Sequence, residues 1–400
     1  MTAGYDLIAE QLALRGADVG SVEAALRAQE VETPSWAFGN SGTRFAVFQQ
    51  PGTPRDTFEK LEDAAEVQRV TGIARSVALH IPWDKVDDMS ELRGRADELG
   101  LRLGAINPNL FQDPDYKLGS LCHPDAAIRS RAVAHVHECI EIATLLGSDA
   151  ISLWLADGTN YPGQDSLRAR RARLLDTLGD VYAALGDDME LLVEYKLYEP
   201  AFYATDLADW GSALLVCQEL GDGAKVLVDL GHHAQGVNIE QIVSLLHGAG
   251  RLGGFHFNDR KYGDDDLIVG SIDPFQLFRI FHQLVDSGAL ESGVRLTVDQ
   301  SHNVEPKIEA MIQTVMTLQE TYAKALLVDR AALEDAQSSG DVLAANRILV
   351  DAYNTDVRPI CAKVREELGA SVDPIASFRA DGYAERAAQA RADGTATAWI

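Results

Sequence analysis

Four apolar runs between residues 190 and 300 end in side chains that are common metal ligands. These ligand-type residues are Glu194, Asp229, His256 and Asp299. Charged carboxylates are rarely buried without a partner, and oxygen donors with a single imidazole suit Mn²⁺, Mg²⁺ or Co²⁺ better than metals that prefer thiolates. A single histidine at a strand end is more often structural, so the prediction depends on four such residues in succession. We therefore predict a divalent-metal site from these residues.

A second group of ligand-type residues lies beside the first. His232 follows the second of these runs, and three consecutive aspartates, 264–266, follow the third. In an extended segment, alternate side chains point to the same side, so Asp264 and Asp266 could bind one ion. Glu194 could bridge the two sites, although spacing alone does not establish this. We predict a second site from His232, Asp264 and Asp266.

These residues lie in a chain that alternates strand and helix patterns. The predicted strands are 44–48, 76–81, 101–107, 149–155, 190–196, 225–230, 252–258 and 295–300. Several of the helical segments between them end at a glycine, such as Gly100 or Gly147, as helices commonly do. An open doubly wound sheet is less well supported, because no GxGxxG motif follows the first strand. Eight strands alternating with eight helices predict a (β/α)8 TIM barrel of the α/β class, with its chemistry at the carboxyl ends of the strands.

Helical patterns extend the predicted barrel at both ends. Residues 1–43 predict N-terminal helices and a glycine-containing loop whose aromatic residues are expected to be exposed. The catalytic barrel is predicted over residues 44–324. Residues 325–400 predict a helical extension that is too polar to form a separate large core. We expect this extension to wrap a neighbouring subunit and make oligomer contacts.

Composition and charge exclude several classes of partner. Of the 400 residues, 46% are hydrophobic, and the net charge is −26. Such acidity disfavours nucleic acid and anionic membranes as partners, since both need clustered Lys and Arg, and it argues against a DNA-repair endonuclease of similar barrel shape. No apolar run approaches the ~18 residues that span a bilayer, and the acidic beginning is unlike a signal peptide. Together with four widely spaced cysteines, these features predict a cytoplasmic protein.

The predicted site has the equipment to move hydrogen between two carbons of a sugar. Adjacent divalent ions could hold neighbouring oxygens of a polyol and polarise a carbonyl. Lys196 could stabilise negative charge that builds on the C1 oxygen, and Asp299, or a water it holds, could transfer protons. Trp83, Trp154 and Phe111 could stack against the apolar faces of the sugar. This set of residues is typical of an aldose–ketose isomerase.

Several motifs resemble those of the L-rhamnose isomerases of the Pseudomonas type, within the xylose-isomerase-like barrel group. They are VEYK at 193–196, VDLGHHAQGVNIE at 228–240, GFHFNDRKYGDDDL at 254–267, VDQSHN at 298–303, VALHIPWD at 77–84 and LWLADGTNYPGQD at 153–165. The resemblance covers most of the chain, and the GHH and DDDL motifs together are specific to that family.

The resemblance implies an enzyme that interconverts L-rhamnose and L-rhamnulose and also accepts sugars such as D-allose and D-psicose. It implies two divalent ions per subunit, Mn²⁺ in preference to Co²⁺ or Mg²⁺, and a homotetramer. The implied ligands of a structural ion are Glu194, Asp229, His256 and Asp299, and those of a catalytic ion are His232, Asp264 and Asp266. The implied catalytic pair is Lys196 and Asp299. The implied substrate contacts are His80, Trp83, Trp154, Lys196 and Phe45, of which Phe45 resembles an aromatic residue that reaches into a neighbouring subunit's site.

Three alternatives remain open at this point. A ketose 3-epimerase of the same barrel group uses two glutamates that flank one metal ion, whereas here the eighth strand ends in Asp299 and Lys196 follows Glu194, which favours isomerisation. For isomerisation, we predict a metal-assisted 1,2-hydride shift, with proton transfer through an enediol as the alternative route. A sugar- or metal-binding protein without catalytic activity is the third alternative. The preferred sugar and the roles of Asp259, Lys261 and Tyr262 are not predicted.

Overall fold

Eight parallel strands form a closed barrel. The structure is a computed structural model that describes residues 2–40, 50–199 and 202–392. The strands are β1 (Glu32–Pro34), β2 (Ser76–Ile81), β3 (Arg102–Pro108), β4 (Ala150–Trp154), β5 (Glu190–Glu194), β6 (Ala224–Asp229), β7 (Leu252–Phe257) and β8 (Arg295–Val298). Successive strands pair in parallel, and β8 pairs with β1 to close the ring. The predicted (β/α)8 TIM barrel is therefore confirmed.

The first strand of the barrel differs from the predicted one. β1 is Glu32–Pro34, whereas the predicted strand at 44–48 lies outside the described residues, and the ring closes without it. β1 has the sequence Glu-Thr-Pro, so it lacks the apolar run by which the other strands were predicted. The barrel thus begins inside the segment predicted as N-terminal helices and loop, before the predicted boundary at residue 44.

Helices α3 to α10 alternate with the strands and cover the outside of the barrel. The helices are α1 (Thr2–Leu14), α2 (Val19–Ala28), α3 (Thr57–Thr71), α4 (Met89–Glu98), α5 (Ala126–Leu146), α6 (Leu167–Ala183), α7 (Trp210–Leu220), α8 (Ile239–Gly248), α9 (Pro274–Asp286), α10 (Lys307–Leu326), α11 (Arg330–Ser339), α12 (Val342–Tyr353), α13 (Arg358–Glu367), α14 (Pro374–Asp381) and α15 (Tyr383–Ala390). A short antiparallel ribbon pairs Gly158–Thr159 with Ala204–Thr205 and joins the loops after β4 and β5.

Local side chains set the ends of these helices. The carboxylates of Asp56, Asp88 and Asp273 accept hydrogen bonds from N–H groups in the first turns of α3, α4 and α9. Each such cap stabilises a helix by about 0.5–2 kcal/mol. Gly72 and Gly147 follow α3 and α5 with φ of 78° and 75°, a left-handed conformation that glycine adopts without steric cost. The caps therefore fix where each helix meets the loops that carry the site.

The indole of Trp36 fills the inside of the barrel near the carboxyl ends of the strands. It packs against the small and aliphatic side chains of Ala78, Ala105, Ala150, Leu192 and Leu227. The alanines leave the space that a large indole needs in a closely packed interior. Trp36 is 8% exposed, so the prediction that the aromatic residues of this loop are exposed is wrong.

The buried carboxylate of Glu32 also points into the barrel. Glu32 on β1 accepts hydrogen bonds from Ser76 Oγ at 2.6 Å and from Thr297 Oγ1 at 3.1 Å. A Cβ added to Gly104 would lie 1.6 Å from Glu32 Oε2. Glycine at this position of β3 is therefore what allows the glutamate to point into the barrel.

The C-terminal helices pack on the N-terminal part of the same chain. Lys363 on α13 donates to Glu23 Oε1 on α2 at 3.0 Å. Arg391, after α15, donates to both carboxylate oxygens of Asp63 on α3, at 3.0 and 3.1 Å. The helical extension predicted for 325–400 is present over the described residues, and its contact with a neighbouring subunit stays a prediction.

Two further features bear on the predicted class of protein. Among the helices of the described ranges, none has both the length and the apolar character needed to cross a membrane. The four cysteines are all buried and free of disulfide bonds.

Candidate metal centre

Four side chains converge where β5, β6, β7 and β8 end, and we call them the strand cluster. Its members are Glu194, Asp229, His256 and Asp299, and one ligand atom from each lies within 4.8 Å of the others. His256 Nδ1 is 3.2 Å from Glu194 Oε2 and 3.6 Å from Asp299 Oδ2. Asp229 Oδ2 lies 4.0 Å from the same nitrogen. The structure thus brings together the four residues that were predicted for the first site.

Hydrogen bonds from neighbouring groups orient the carboxylates of the strand cluster. The Asn258 amide donates to both oxygens of Asp229, at 3.0 and 3.1 Å, and the Gly231 N–H donates to Asp229 Oδ1 at 2.6 Å. Trp36 Nε1 donates to Asp299 Oδ1 at 2.8 Å, so Asp299 Oδ2 is the oxygen nearer to His256. Outer hydrogen bonds of this kind fix the orientation of metal ligands.

A second set of side chains, the loop cluster, consists of Asp229, His232 and Asp264. His232 Nε2 lies 3.3 Å from Asp264 Oδ1 and 3.9 Å from Asp229 Oδ2. Asp229 therefore belongs to both clusters. Glu194 lies between them as well, because its Oε1 is 3.1 Å from His232 Nδ1 while its Oε2 faces His256. Among the described residues, Glu194 contacts the loop cluster only through this nitrogen and is not one of its three members, so its bridging role stays a prediction.

Tyr195 holds two consecutive histidines. His232 Nδ1 donates to the Tyr195 carbonyl oxygen at 3.0 Å, which leaves His232 Nε2 facing the loop cluster. Burial lowers the pKa of His233 to about 3, so this imidazole is neutral. The Tyr195 hydroxyl donates to His233 Nε2 at 2.6 Å, and His233 Nδ1 lies 3.4 Å from the Leu230 carbonyl oxygen. The main chain and the phenol of one residue therefore support the turn that carries His232.

The three consecutive aspartates have three different environments. Asp264 is the one that joins the loop cluster. Asp265 Oδ2 accepts hydrogen bonds from main-chain N–H groups, including that of Tyr262 at 2.8 Å. Asp266 has φ of 49° and accepts a hydrogen bond from Ser301 Oγ at 3.3 Å. The expectation of an extended run is wrong because a left-handed residue turns the chain there. The metal-binding role of Asp266 stays a prediction.

Lys196 links the loop cluster to an aromatic side chain. Its ammonium group donates to Asp264 Oδ2 at 2.6 Å and to Glu199 Oε2 at 2.9 Å. The same nitrogen lies 4.9 Å from the centre of the Trp154 ring. Lys196 and Glu199 are both buried. The lysine predicted to act on the C1 oxygen therefore lies beside the loop cluster in an ion pair with one of its carboxylates.

Aromatic side chains from the ends of β2 and β4 and from neighbouring loops form a connected group beside the two clusters, and we call them the aromatic wall. Its members are Trp36, His80, Trp83, Phe111 and Trp154. The rings of His80 and Trp83 stack with centroids 3.7 Å apart, and those of Phe111 and Trp154 lie 4.7 Å apart. Trp36 meets His80 edge-on at 5.7 Å while it donates to Asp299. Trp36 and Lys196 therefore join the wall to the clusters.

Two buried polar atoms of the aromatic wall have no hydrogen-bond partner within the described ranges. They are His80 Nδ1 and Trp154 Nε1. Burial lowers the pKa of His80 well below its usual range, so its imidazole is neutral. Buried polar groups normally have a partner. Polar atoms of this kind, set among apolar ring faces, are suited to a ligand that has both hydroxyl groups and C–H faces.

Burial and mutual charge shift the pKa values of the clustered groups strongly. Burial raises the pKa of Asp229 to about 7, and the carboxylates of Glu194 and Asp264 add to the shift against the effect of His232. Burial opposes the charged form of His256, yet the surrounding carboxylates raise its pKa to about 9. Burial also opposes ionisation of Glu194, but His256 and His232 lower its pKa to about 2. Several carboxylates are thus concentrated here, and protons on Asp229 and His256 offset part of their negative charge.

The same residues fit divalent cations. Burial raises the pKa of Asp266 and of Asp299, and neighbouring carboxylates contribute to both shifts. His256 Nδ1 is buried and has no hydrogen-bond partner within the described ranges, although carboxylate oxygens surround it. A cation would satisfy both the excess negative charge and this nitrogen. Mostly oxygen donors with one imidazole at each cluster suit Mn²⁺, Mg²⁺ or Co²⁺.

The structure places nearly all of the predicted site residues around these clusters. Phe45 lies outside the described residues. Asp259, which had no predicted role, accepts main-chain hydrogen bonds from Ile272 and Asp273 at 2.8 and 3.0 Å. Lys261 and Tyr262 are exposed, and the Lys261 ammonium lies 5.5 Å from the Tyr262 ring centre. Asp259 therefore holds the main chain of the loop after β7, whereas the side chains of Lys261 and Tyr262 lie on its surface.

Sequence reasoning missed two residues of the site. Trp36 lies in a loop after a strand that has no apolar run, so its approach to Asp299 had no signal in the sequence. Glu199 is the second acid bound to Lys196, and its spacing of three residues from the lysine suggested no contact outside a helix. The hydrogen bonds of a third residue, Asn258, to Asp229 depend on the pairing of β6 with β7, which the sequence does not display.

Comparisons with known proteins agree with the observed fold. Residues 61–293 match the family described as xylose isomerase-like TIM barrel. A probable sugar isomerase of Rhizobium meliloti is 47% identical over 399 residues, covering 98% of this chain and 93% of that protein. A probable sugar isomerase of Mesorhizobium japonicum is 48% identical over 395 residues, covering 97% of this chain and 92% of that protein.

A solved structure supports the same conclusion at the level of the fold. A structure of L-ribulose 3-epimerase has a TM-score of 0.52 and 18% sequence identity, and the match covers 79% of this chain and 98% of that chain. At this identity the likeness concerns the fold alone. From the matched residues and the near-complete coverage of its relatives, the chain belongs to the xylose isomerase-like TIM barrel family.

Proposed function

We propose that this protein is a metal-dependent aldose–ketose isomerase, and that L-rhamnose and L-rhamnulose are its preferred substrate pair. Sugar isomerisation is supported by the two relatives of that description, which match nearly the whole chain. The choice of L-rhamnose is supported by the resemblance of the motifs at 228–240 and 254–267 to the L-rhamnose isomerases.

The observation that carries the proposal is the position of the two ligand clusters against the aromatic wall. Asp229 is common to both clusters, so two cations bound there would be neighbours. Trp36 and Lys196 contact the clusters on one side and the wall on the other. A small polyol between the wall and the clusters would meet ring faces and metal ligands at once.

The aromatic wall would bind and orient the sugar. Its ring faces would cover C–H groups, while His80 Nδ1 and Trp154 Nε1 would hydrogen-bond to hydroxyl groups. Because Trp36 and His80 are buried, the wall would also exclude water from the reacting carbons.

Two side chains would handle charge and protons. When bound, divalent ions would supply Lewis-acid polarisation of the C1 and C2 oxygens. The Lys196 ammonium would stabilise negative charge developing on the C1 oxygen. Asp299, held by Trp36 through Oδ1, would use Oδ2 or a water bound to it to move a proton between the two oxygens. Hydrogen would pass between C2 and C1 as hydride, with proton transfer through an enediol as the alternative.

The remaining parts of the proposal concern the assembly and its ions. We propose two Mn²⁺ ions per subunit, Co²⁺ or Mg²⁺ as substitutes, and D-allose and D-psicose as further substrates. We also propose a cytoplasmic homotetramer in which the extension from residue 325 makes subunit contacts and Phe45 reaches a neighbouring site.

A sugar panel on metal-free and Mn²⁺-reconstituted protein tests the function. We expect the reconstituted protein to convert L-rhamnose to L-rhamnulose and the chelated protein to be inactive. Inversion at C3 of D-psicose or D-fructose without formation of any aldose would overturn the proposal in favour of a 3-epimerase. Absence of turnover for every sugar, with sugar binding retained, would overturn it in favour of a binding protein.

Isotope transfer tests the route of hydrogen. With substrate deuterated at C2, a hydride shift keeps deuterium in the product. Complete exchange of that deuterium with solvent would overturn the hydride shift and favour the enediol route.

A further inference from the structure

A third group of ligand-type side chains lies outside the two clusters. Cys122, Asp157 and Asp206 place one donor atom each within 4.8 Å of one another. They come from the loops after β3, β4 and β5. Cys122 Sγ lies 3.2 Å from both Asp157 Oδ2 and Asp206 Oδ2. We call this group, together with Arg170 on α6, the arginine hub.

Arg170 supplies the positive charge of the hub. Its Nε and Nη2 donate to the two oxygens of Asp206 at 2.8 and 2.7 Å, and Nη2 lies 2.9 Å from Cys122 Sγ. Its Nη1 donates to the Leu118 carbonyl oxygen at 3.0 Å. Arg170 is 2% exposed. A fixed guanidinium therefore stands where a cation would otherwise balance these acids.

The hub continues directly into the main chain around Lys196. Thr205 Oγ1 donates to the Lys196 carbonyl oxygen at 2.5 Å, and the Lys196 N–H donates to the Leu207 carbonyl oxygen at 3.0 Å. Asp206 lies between these two residues, and its own N–H donates to the Asp157 carbonyl oxygen at 3.0 Å. The main-chain N–H and carbonyl groups of Lys196 are thus bound by residues 207 and 205, the two neighbours of Asp206, and Asp206 itself is bound by Arg170.

We propose that Arg170 is a positioning residue for Lys196, because its paired hydrogen bonds to Asp206 fix residues 205–207 and through them the main chain of the lysine. The link to catalysis rests on the proposed function, in which Lys196 acts on the C1 oxygen. The positioning itself depends only on the contacts described above. A planar guanidinium can bind both oxygens of a carboxylate, and a lysine ammonium cannot reproduce that geometry.

The test compares four variants of the Mn²⁺-loaded protein. Arg170→Lys keeps the charge and loses the paired geometry, and Asp206→Asn weakens the same pair while it leaves the other bonds of Arg170 in place. Arg173→Lys is the matched comparison, because Arg173 lies on the same helix and donates to the Cys122 carbonyl oxygen at 2.7 Å, while the carboxylate it binds is that of Asp165. Arg171→Lys, on the exposed side and paired with Glu219, is the control for the substitution itself.

Hydrogen–deuterium exchange provides a readout without sugar turnover. In Arg170→Lys we expect the amide of Lys196 to exchange at least about tenfold faster, because opening of residues 205–207 breaks its bond to Leu207. Asp206→Asn should show the same direction of change, and it replaces Arg170→Lys if that variant does not fold. Exchange of β7 amides should stay unchanged. Unchanged exchange at Lys196 in both variants would overturn the inference.

Kinetics provide the second readout. In Arg170→Lys we expect kcat for L-rhamnose to fall about 10- to 100-fold with KM within about twofold, because a displaced lysine loses interactions made in the transition state. An equal loss in Arg173→Lys would overturn the inference, since both changes would then only loosen α6. If the unsubstituted protein isomerised no sugar, the proposed function would be overturned. Faster exchange at Lys196 in Arg170→Lys would still support the positioning role.

Discussion

The strand cluster and the loop cluster share Asp229, but different parts of the fold carry them. In the strand cluster, Glu194, Asp229 and His256 stand on the barrel strands, and Asp299 directly follows β8. In the loop cluster, His232 and Asp264 come from the loops after β6 and β7. The same chemistry of carboxylates and imidazoles is thus attached once to the most constrained part of the barrel and once to its loops.

The two clusters are therefore fixed by different forces. Strand pairing sets the strand cluster, as in the register that places Asp229 beside His256. The loop cluster depends on individual hydrogen bonds, chiefly those of Tyr195 with the two histidines and of Lys196 with Asp264. Ligands on strands are positioned more rigidly than ligands on loops. We expect single substitutions outside the ligands to disturb the loop cluster more than the strand cluster.

The largest expected effect follows from changing Glu194, which faces both histidines. Glu194→Gln should lower Mn²⁺ affinity at both clusters by more than about 100-fold and abolish turnover, because the amide lacks the charge that balances the cations. Calorimetric titration of the chelated protein with Mn²⁺ measures this. Glu190→Gln is the control, since Glu190 begins the same strand and pairs with Lys225 and Arg295 instead. Wild-type affinity in Glu194→Gln would contradict the assignment of both clusters.

The next effect separates the clusters by way of Asp264. Asp264→Asn should reduce the Mn²⁺ stoichiometry from two to one and lower turnover on the order of 100-fold, because only the loop cluster loses a charged ligand. Electron paramagnetic resonance of free Mn²⁺ reports the number of bound ions. Asp265→Asn is the neighbouring control. It should lower the free energy of unfolding by at most about 1 kcal/mol, because an amide oxygen still accepts hydrogen bonds from the main chain. If both variants lost one ion, Asp264 would have no special role.

A smaller effect should follow from removing a supporting hydroxyl. Tyr195→Phe leaves His233 Nε2 without its donor and should weaken Mn²⁺ binding at the loop cluster by roughly 10-fold. The strand cluster should keep its affinity, so only one of the two binding steps of the titration should weaken. Tyr203→Phe is the control, because Tyr203 is 77% exposed. Equal weakening of both steps would remove the contrast between the clusters.

The last expected effect concerns the pH dependence of stability and involves the buried imidazole of His302, whose Nε2 lies 3.0 Å from Gln300 Oε1. Burial lowers the pKa of His302 from 6.5 to about 4, with a further contribution from Lys307. Between these values the unfolded chain binds the proton more strongly, so this group's contribution to stability is lost as pH falls from 6.5 towards 4. The shift corresponds to at most about 3 kcal/mol.

His302→Gln tests this contribution. In chemical denaturation of the metal-free protein, the variant should show a weaker fall of unfolding free energy across that pH range than the wild type. Identical slopes would show that His302 is not the group responsible.

Much of the fold followed from patterns that the sequence displays openly. The bounds of β2, at Ser76–Ile81, coincide with the predicted ones because the continuous apolar pattern is unambiguous there. β1 was missed because Glu32–Pro34 has no such pattern. It becomes a strand by pairing with β2 and β8, which is a property of the closed ring.

The residues of the site also fall into a predictable part and an unpredictable part. Ligands at strand ends could be predicted, since parallel strands bring their carboxyl ends to one edge. The environments of the three aspartates could not, because they depend on the left-handed conformation of Asp266. The contacts of Glu199 and Trp36 are made between loops that are distant in sequence or lack a pattern, and only the folded chain brings them together.

The shared position of Asp229 has a consequence for how the protein would load its ions. A carboxylate that serves two sites cannot give its full charge to each, so occupancy of one cluster would change the affinity of the other. By thermodynamic reciprocity the change is equal in both directions. The affinity for the second ion would then depend on whether the first is bound, because Asp229 would already be shared with that first ion. Partial loading would define a distinct state of the molecule rather than an average of empty and full sites.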